Sequence, residues 1–471
     1  MKSINYYYYI KTSRQLTRGS LLKLLTILLM GLASCTDFVE VDPPKNILIS
    51  ETVFNDPATV ESALANIYFK IREQGMVSGR NGLTTLMGIY SDDLDYFGFD
   101  ASFLELYQHN VAGSNNTIQG WWNTAYNIIY ATNDIISGVD NSSTLTIEEG
   151  EQFKGQALFV RAYVHSLLVS LFGDIPYITT TDYLVNGTAS RQSIDVVYKH
   201  IISDLNNALM LLENTDDTGE RVLPNQLVAK ALLARVYLYK ENWEMAEDLS
   251  SQLIDTYNLE ADVNDVFLKE SRETLWQLKP GESPRNTQEA NELIIQFIPG
   301  QKYALTNTLI AAFESGDLRL DHWTGSISNT DGTVTLAFAH KYKYTLTETE
   351  SLEYSVIFRL AEQYLIRAEA RTQLGNISGA QLDLNAIRNR AGLANTTAKT
   401  KTDLLNAILK ERRVELFAEQ GHRWFDLKRT GTAGSVLSAV KPNWQATNVL
   451  LPIPETELEA NPKLLPQNPG Y

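Results

Sequence analysis

Only one cysteine, Cys35, occurs in the 471 residues, so no internal disulfide can form. Histidine is scarce as well. His109, His165, His200, His322, His340 and His422 show no H-E-x-x-H or related spacing, which leaves a zinc site without support. No G-x-S-x-G, Walker or dinucleotide-binding fingerprint precedes a helical pattern. Beyond residue 34 no stretch approaches the ~20 consecutive apolar residues of a membrane span. Basic charge is also short, with 40 Lys and Arg against 56 Asp and Glu, a net charge of −16. Residues 1–34 carry Lys2, Lys11, Arg14, Arg18 and Lys23 and no acid, so the remainder holds 35 basic against 56 acidic residues, or −21. Such a chain is repelled by nucleic acid, and no basic patch with interleaved aromatics argues otherwise.

Aromatic residues are plentiful, at 23 Tyr and 7 Trp. In an acidic protein that does not bind nucleic acid, they favour thick helical packing or surfaces that stack on sugar rings. At the amino terminus a basic region leads into the apolar run Leu21–Ser34, interrupted by Lys23, which reads as a secretory signal. Leu32-Ala33-Ser34-Cys35 resembles the bacterial lipobox, in which the cysteine becomes the acylated amino terminus. Residues 1–34 are therefore expected to be a lipoprotein signal peptide and 35–55 a lipidated tether containing Pro43-Pro44, with the lipid as sole anchor.

Helical patterns dominate the rest. In Asn225–Tyr257 the residues Val228, Leu232, Val236 and Tyr239 share a face, and Asn242 can cap a second helix carrying Trp243, Ala246, Leu249 and Leu253. So short a link makes an αα-hairpin. Leu233, Ala234, Tyr237 and Ala246 match the inner positions of a tetratricopeptide repeat. Tyr364–Arg390 repeats the spacing, since Ala368 and Ala380 stand twelve residues apart, as Ala234 and Ala246 do. Further helices are expected at about 56–73, 121–137, 148–172, 193–213 and 402–420, with a helical block over 352–392. Short strands are expected at 273–278, 334–339 and 340–344. Loops concentrate at 74–120 and 279–350, and long loops on a helical scaffold are usually functional.

The carboxy-terminal stretch LLNAILKERRVELFAEQGHRWFDLKRTG, Leu404–Gly431, closely resembles the SusD/RagB family of Bacteroidota surface lipoproteins. So do RAYVHSLLVSLFGDIP (161–176), KALLARVYLYKENWEMA (230–246), RLAEQYLIRAEARTQLGN (359–376) and the closing LLPIPETELEANPKLLPQNPGY. One departure is Gln420, which stands between Glu419 and Gly421, where the commonest family form has glycine directly after the glutamate. The resemblance implies a mainly α fold, a tetratricopeptide-like αα-hairpin superhelix packed against an irregular, loop-rich region. It divides the chain into a helical amino-terminal region at 56–278, a loop-rich ligand-binding insertion at 279–350 and a family carboxy-terminal region at 351–471. It implies a non-catalytic glycan- or nutrient-binding lipoprotein on the outer membrane, facing outward. It also implies a SusC-like TonB-dependent transporter as partner and no cofactor. Two alternatives are a helical glycoside hydrolase and a peptide-binding repeat scaffold.

Glu411, Arg412, Arg413, Glu415, Glu419, His422, Arg423 and Asp426 form the densest polar constellation. They are read as a structural ion-pair network rather than as acid, base and electrophile. Asp92, Asp93 and Asp95 could hold a metal or act as paired carboxylates, but the calcium-loop pattern is incomplete, and a solvated acidic loop is expected. The ligand surface is expected where loops 80–120 and 279–330 meet, with Tyr96, Phe97, Tyr107 and Trp323 as aromatic platforms.

Overall fold

Polar caps start most of the long helices. The computed structural model describes residues 53–216, 218–280 and 286–471, so the expected leader, Cys35 and most of the tether lie outside it. Asp56 caps α1 (Pro57–Phe69), whose first residue is a proline with no donor to lose. Two short helices follow, α2 (Leu83–Tyr90) and α3 (Ala101–Gln108). Asn115 accepts from the Thr117 and Ile118 amides to open α4 (Asn116–Asp140). Thr146 and Glu149 close a reciprocal capping box on α5 (Ile147–Phe172). α5 is buried on nearly all sides, packs between α4 and α6 (Ile194–Leu211), and forms the axis of the amino-terminal core.

The hairpin expected at 225–257 is α7 (Gln226–Tyr239) and α8 (Trp243–Ile254), with Asn225 and Asn242 as the two caps. Its partner is α9 (Leu360–Gln373) and α10 (Ile377–Arg390), and α8 packs against α9 to join the two pairs. Ala234, Ala246, Ala368 and Ala380 are all fully buried. Small side chains at those four points let the helices approach closely, which is why the twelve-residue spacing is visible in the sequence. α11 (Lys401–Leu416) covers α9 and α10, with Leu404 and Ile408 closing a second apolar core over Leu365 and Leu384. A tight turn then leads into α12 (His422–Arg429). The architecture is mainly helical.

Among the described residues, three two-stranded antiparallel sheets tie the irregular segments together. β1 (Leu94–Tyr96) pairs with β3 (Tyr303–Leu305), β2 (Thr274–Leu278) with β6 (Ser355–Arg359), and β4 (Thr324–Ser328) with β5 (Thr335–Ala339). Two expectations are corrected here. Residues 340–344 are not a strand, because the Glu353 carboxylate accepts the Lys343 and Tyr344 amides that a ladder would have used. Residues 355–359, expected within a helical block, instead form β6 and pair with β2; the helix starts at Leu360.

Candidate ligand-binding surface

Pairing of β1 with β3 joins the two loop-rich regions. Leu94 faces Leu305 and Tyr96 faces Tyr303, and the ladder continues as the Phe97 amide donates to the Lys302 carbonyl at 2.8 Å. Above this junction the chain turns outward. Phe97 is 39% exposed, Phe99 96% and Phe297 63%. Phe297 packs on Gly300, where any Cβ would lie 2.0 Å from the ring, two residues before Lys302. Phe97, Phe99 and Phe297 are thus three exposed rings on the chain just beyond β1 and ahead of β3, a candidate aromatic platform.

Polar groups flank it. Arg80 and Asp100 form a half-exposed ion pair at 3.1 Å, and Asp100 also caps α3 by accepting from the Ser102 amide. Lys302 bonds Glu292 at 3.0 Å with its side chain half exposed. Flat rings beside carboxylate, guanidinium and ammonium groups suit a polyhydroxylated ring: C–H faces stack, and hydroxyls bond at the edge.

The expected platform residues separate into three situations. Phe97 is exposed. Tyr96 and Tyr107 are half-buried and pack edge to face with centroids 6.4 Å apart. Tyr96 tilts against Tyr303 at 5.5 Å, and its Oη accepts the Asp100 amide, which fixes the loop holding Phe97 and Phe99. The Tyr107 hydroxyl donates to Asp95 at 3.0 Å, and Lys441 Nζ sits 4.0 Å from its ring. Burial, with Asp95 beside it, pushes the Tyr107 phenol up to about 12, so it stays a donor. Trp323 is corrected: it is fully buried, and its indole N–H donates to the Val263 carbonyl at 2.8 Å. Phe297 was missed in the sequence. Its signal is an aromatic residue two positions before the Pro299-Gly300 turn.

Asp92 and Asp93 are buried rather than solvated. Arg423 binds Asp92 bidentately at 2.7 and 3.0 Å, and Arg413 reaches Asp92 at 2.8 Å and Asp93 at 3.3 Å. Burial opposes ionisation of Asp92, yet the two guanidiniums hold it below the usual carboxylate range. Burial dominates at Asp93 and pushes it up to about 6. The carboxy-terminal constellation is an ion-pair network. Arg319 bonds Asp317, Glu411 and Glu415 at 2.6–2.8 Å; Arg359 bonds Glu415 and Glu419 at 2.6 and 2.8 Å. These carboxylates are committed to arginine.

Residues 324–471 match the SusD family model, and residues 37–238 match a second, described as starch-binding associating with outer membrane. The chain is SusD-like in both parts. SusD-like protein P2 of Formosa agariphila is 27% identical over 94% of this chain and 98% of its own length. A SusD superfamily protein from Bacteroides vulgatus superposes with a TM-score of 0.79 at 22% identity, over 89% of this chain and all of its own. Surface glycan-binding protein A from Bacteroides fluxus is similar at a TM-score of 0.72 and 26% identity, covering 88% of this chain and 99% of its own. The SusD fold thus supplies a helical scaffold, and the platform sits on its irregular side.

Proposed function

We propose that this SusD-like chain is a non-catalytic surface lipoprotein that captures oligosaccharide on the Phe97–Phe99–Phe297 platform. It passes the glycan to a SusC-like TonB-dependent transporter and is held to the outer membrane by a lipid on Cys35. The observation that carries the proposal is the exposure of three large aromatic rings at the β1–β3 junction, where folding alone would bury them. The starch-binding description of the matching family model and the glycan-binding name of the Bacteroides fluxus relative support it.

Stacking on bases is worth about 1–3 kcal/mol per ring, and sugar faces are taken by analogy. A Phe97→Ala/Phe99→Ala protein should therefore bind its best glycan at least about tenfold more weakly, with the melting temperature almost unchanged. Calorimetric titration and a thermal melt read both quantities. In a second arm, cross-linked membranes should yield a TonB-dependent barrel bound to this chain. Unchanged glycan affinity in the double variant would remove the platform, and recovery of only the free lipoprotein would remove the transporter.

A further inference from the structure

A pocket of about 510 Å³ opens between α4, residues 176–187 and the carboxy-terminal residues 457–464, and it shares no residue with the platform. That volume lies within the range of roughly 300–1,000 Å³ in which small ligands are held. Its walls are tied together without any ligand. Tyr126 Oη donates to the Pro176 carbonyl at 2.9 Å, and the Asn133 amide reaches the Ile178 and Thr180 carbonyls at 3.2 and 3.3 Å. On the other side the Asn461 amide donates to the Ala189 carbonyl at 2.8 Å, and Gln119 bonds Thr456 at 2.8 Å.

The lining chemistry is specific. Tyr183 is 77% exposed and Tyr130 49%, so both present ring faces. Asn123 and Asn127 lie one turn apart on α4, also exposed, and their side-chain amides bond no described residue. Asn186, also in the lining, donates its amide to the Thr180 carbonyl at 2.8 Å and has a buried Oδ1 with no partner among the described residues. Among the described residues Glu457 is the single carboxylate in the wall, and no cation lines it. An anionic ligand would find no counter-charge there, and an apolar helix would leave the amides unpaired. Rings that stack and amides that offer both donor and acceptor fit a neutral sugar.

We propose that this pocket is a second saccharide-binding site, taking a neutral oligosaccharide independently of the platform. It rests on the carbohydrate-binding role proposed above. Two sites on one chain raise the avidity for a long glycan that reaches both.

The test compares the full chain, Phe97→Ala/Phe99→Ala, and that variant carrying Tyr130→Ala/Tyr183→Ala. Each is applied to an array of neutral oligosaccharides that includes maltoheptaose and laminarihexaose. The platform variant should retain binding to at least one glycan, and the added tyrosine changes should weaken that remainder at least about tenfold. Asn123→Ala/Asn127→Ala, at exposed positions that leave the fold intact, should reproduce the loss and decides the matter if the tyrosine variant melts early. Residual binding that persists through both sets of pocket changes overturns the second site and leaves the platform standing. Full binding in the platform variant, abolished by the pocket changes, overturns the platform alone. A chain that binds no neutral glycan overturns both; protection of Tyr183 by a protein partner while glycan binding ignores the pocket overturns the second site alone.

Discussion

At Trp323 the indole ring is enclosed by Lys341, Arg359 and Arg390, whose charged ends lie 4.7, 5.8 and 5.7 Å from the ring centre. Those cations belong to the network that binds Glu415 and Glu419. The aromatic face partly offsets the cost of burying them. Trp323→Ala should therefore cost about 3–5 kcal/mol, as for other buried large-to-small changes, and leave glycan affinity of the folded protein unchanged. Denaturant unfolding and glycan titration on the one variant decide it; a stable protein with weakened binding would return Trp323 to the ligand site. The sequence misleads here for a definable reason. SGDLRLDHWTG has loop composition, but Asp317 caps a single helical turn, Leu318–Trp323, that points the indole inward. Phe99 differs in having Gly98 before it and 96% of its surface exposed, so loop composition and exposure agree there.

At the scale of elements, helices with polar caps and 3.6-residue faces were legible to within a few residues, because each signal is local. Strands were not. β1 and β3 have only three residues each, and their pairing joins positions more than two hundred residues apart. Little in either segment announces its partner, so the place where the two loop regions meet was expected from loop composition alone. The turn between α11 and α12 explains the departure at Gln420. Ala418, Gln420 and Gly421 all adopt positive φ, at 51°, 43° and 75°. A Cβ at Gly421 would meet Met87 Cβ at 2.7 Å, so glycine is required there. Gln420 itself is buried and donates to the Val356 and Ile357 carbonyls at 2.8 and 3.0 Å, binding the turn to β6. The added residue is a structural stitch, and it lies away from the platform residues. Gln420→Ala leaves both buried carbonyls without this donor and should cost about 1–3 kcal/mol with no change in glycan affinity. Chemical denaturation measures the loss; a variant as stable as the parent would mean other donors replace the amide.

Across the whole molecule, buried titratable groups act in opposite directions between pH 7 and 5. Burial lowers His109 and His422 to about 4 and His165 to about 3, so all three stay neutral in the fold and take up protons chiefly on unfolding. Their stabilisation is complete above the unfolded value near 6.5 and is lost as pH falls towards the folded values, on the order of 2 kcal/mol each by pH 5. Glu353 runs the other way. Burial raises it to about 7 despite the Lys343 and Tyr344 amides that it accepts, so its contribution is present below about 4.5 and is lost as pH rises through 7. Asp93, raised to about 6 by burial, adds to the same side. The three histidines outweigh the two carboxylates, so the parent protein should lose roughly 2–3 kcal/mol of stability from pH 7 to 5. Glu353→Gln keeps an acceptor for the two amides and removes one titrating group from the opposing side. Its stability should fall more steeply than the parent's over that interval, by roughly 2 kcal/mol. Urea unfolding of both proteins at pH 7, 6 and 5 reads the difference directly. Parallel curves would show that Glu353 titrates at an ordinary carboxylate value in the fold.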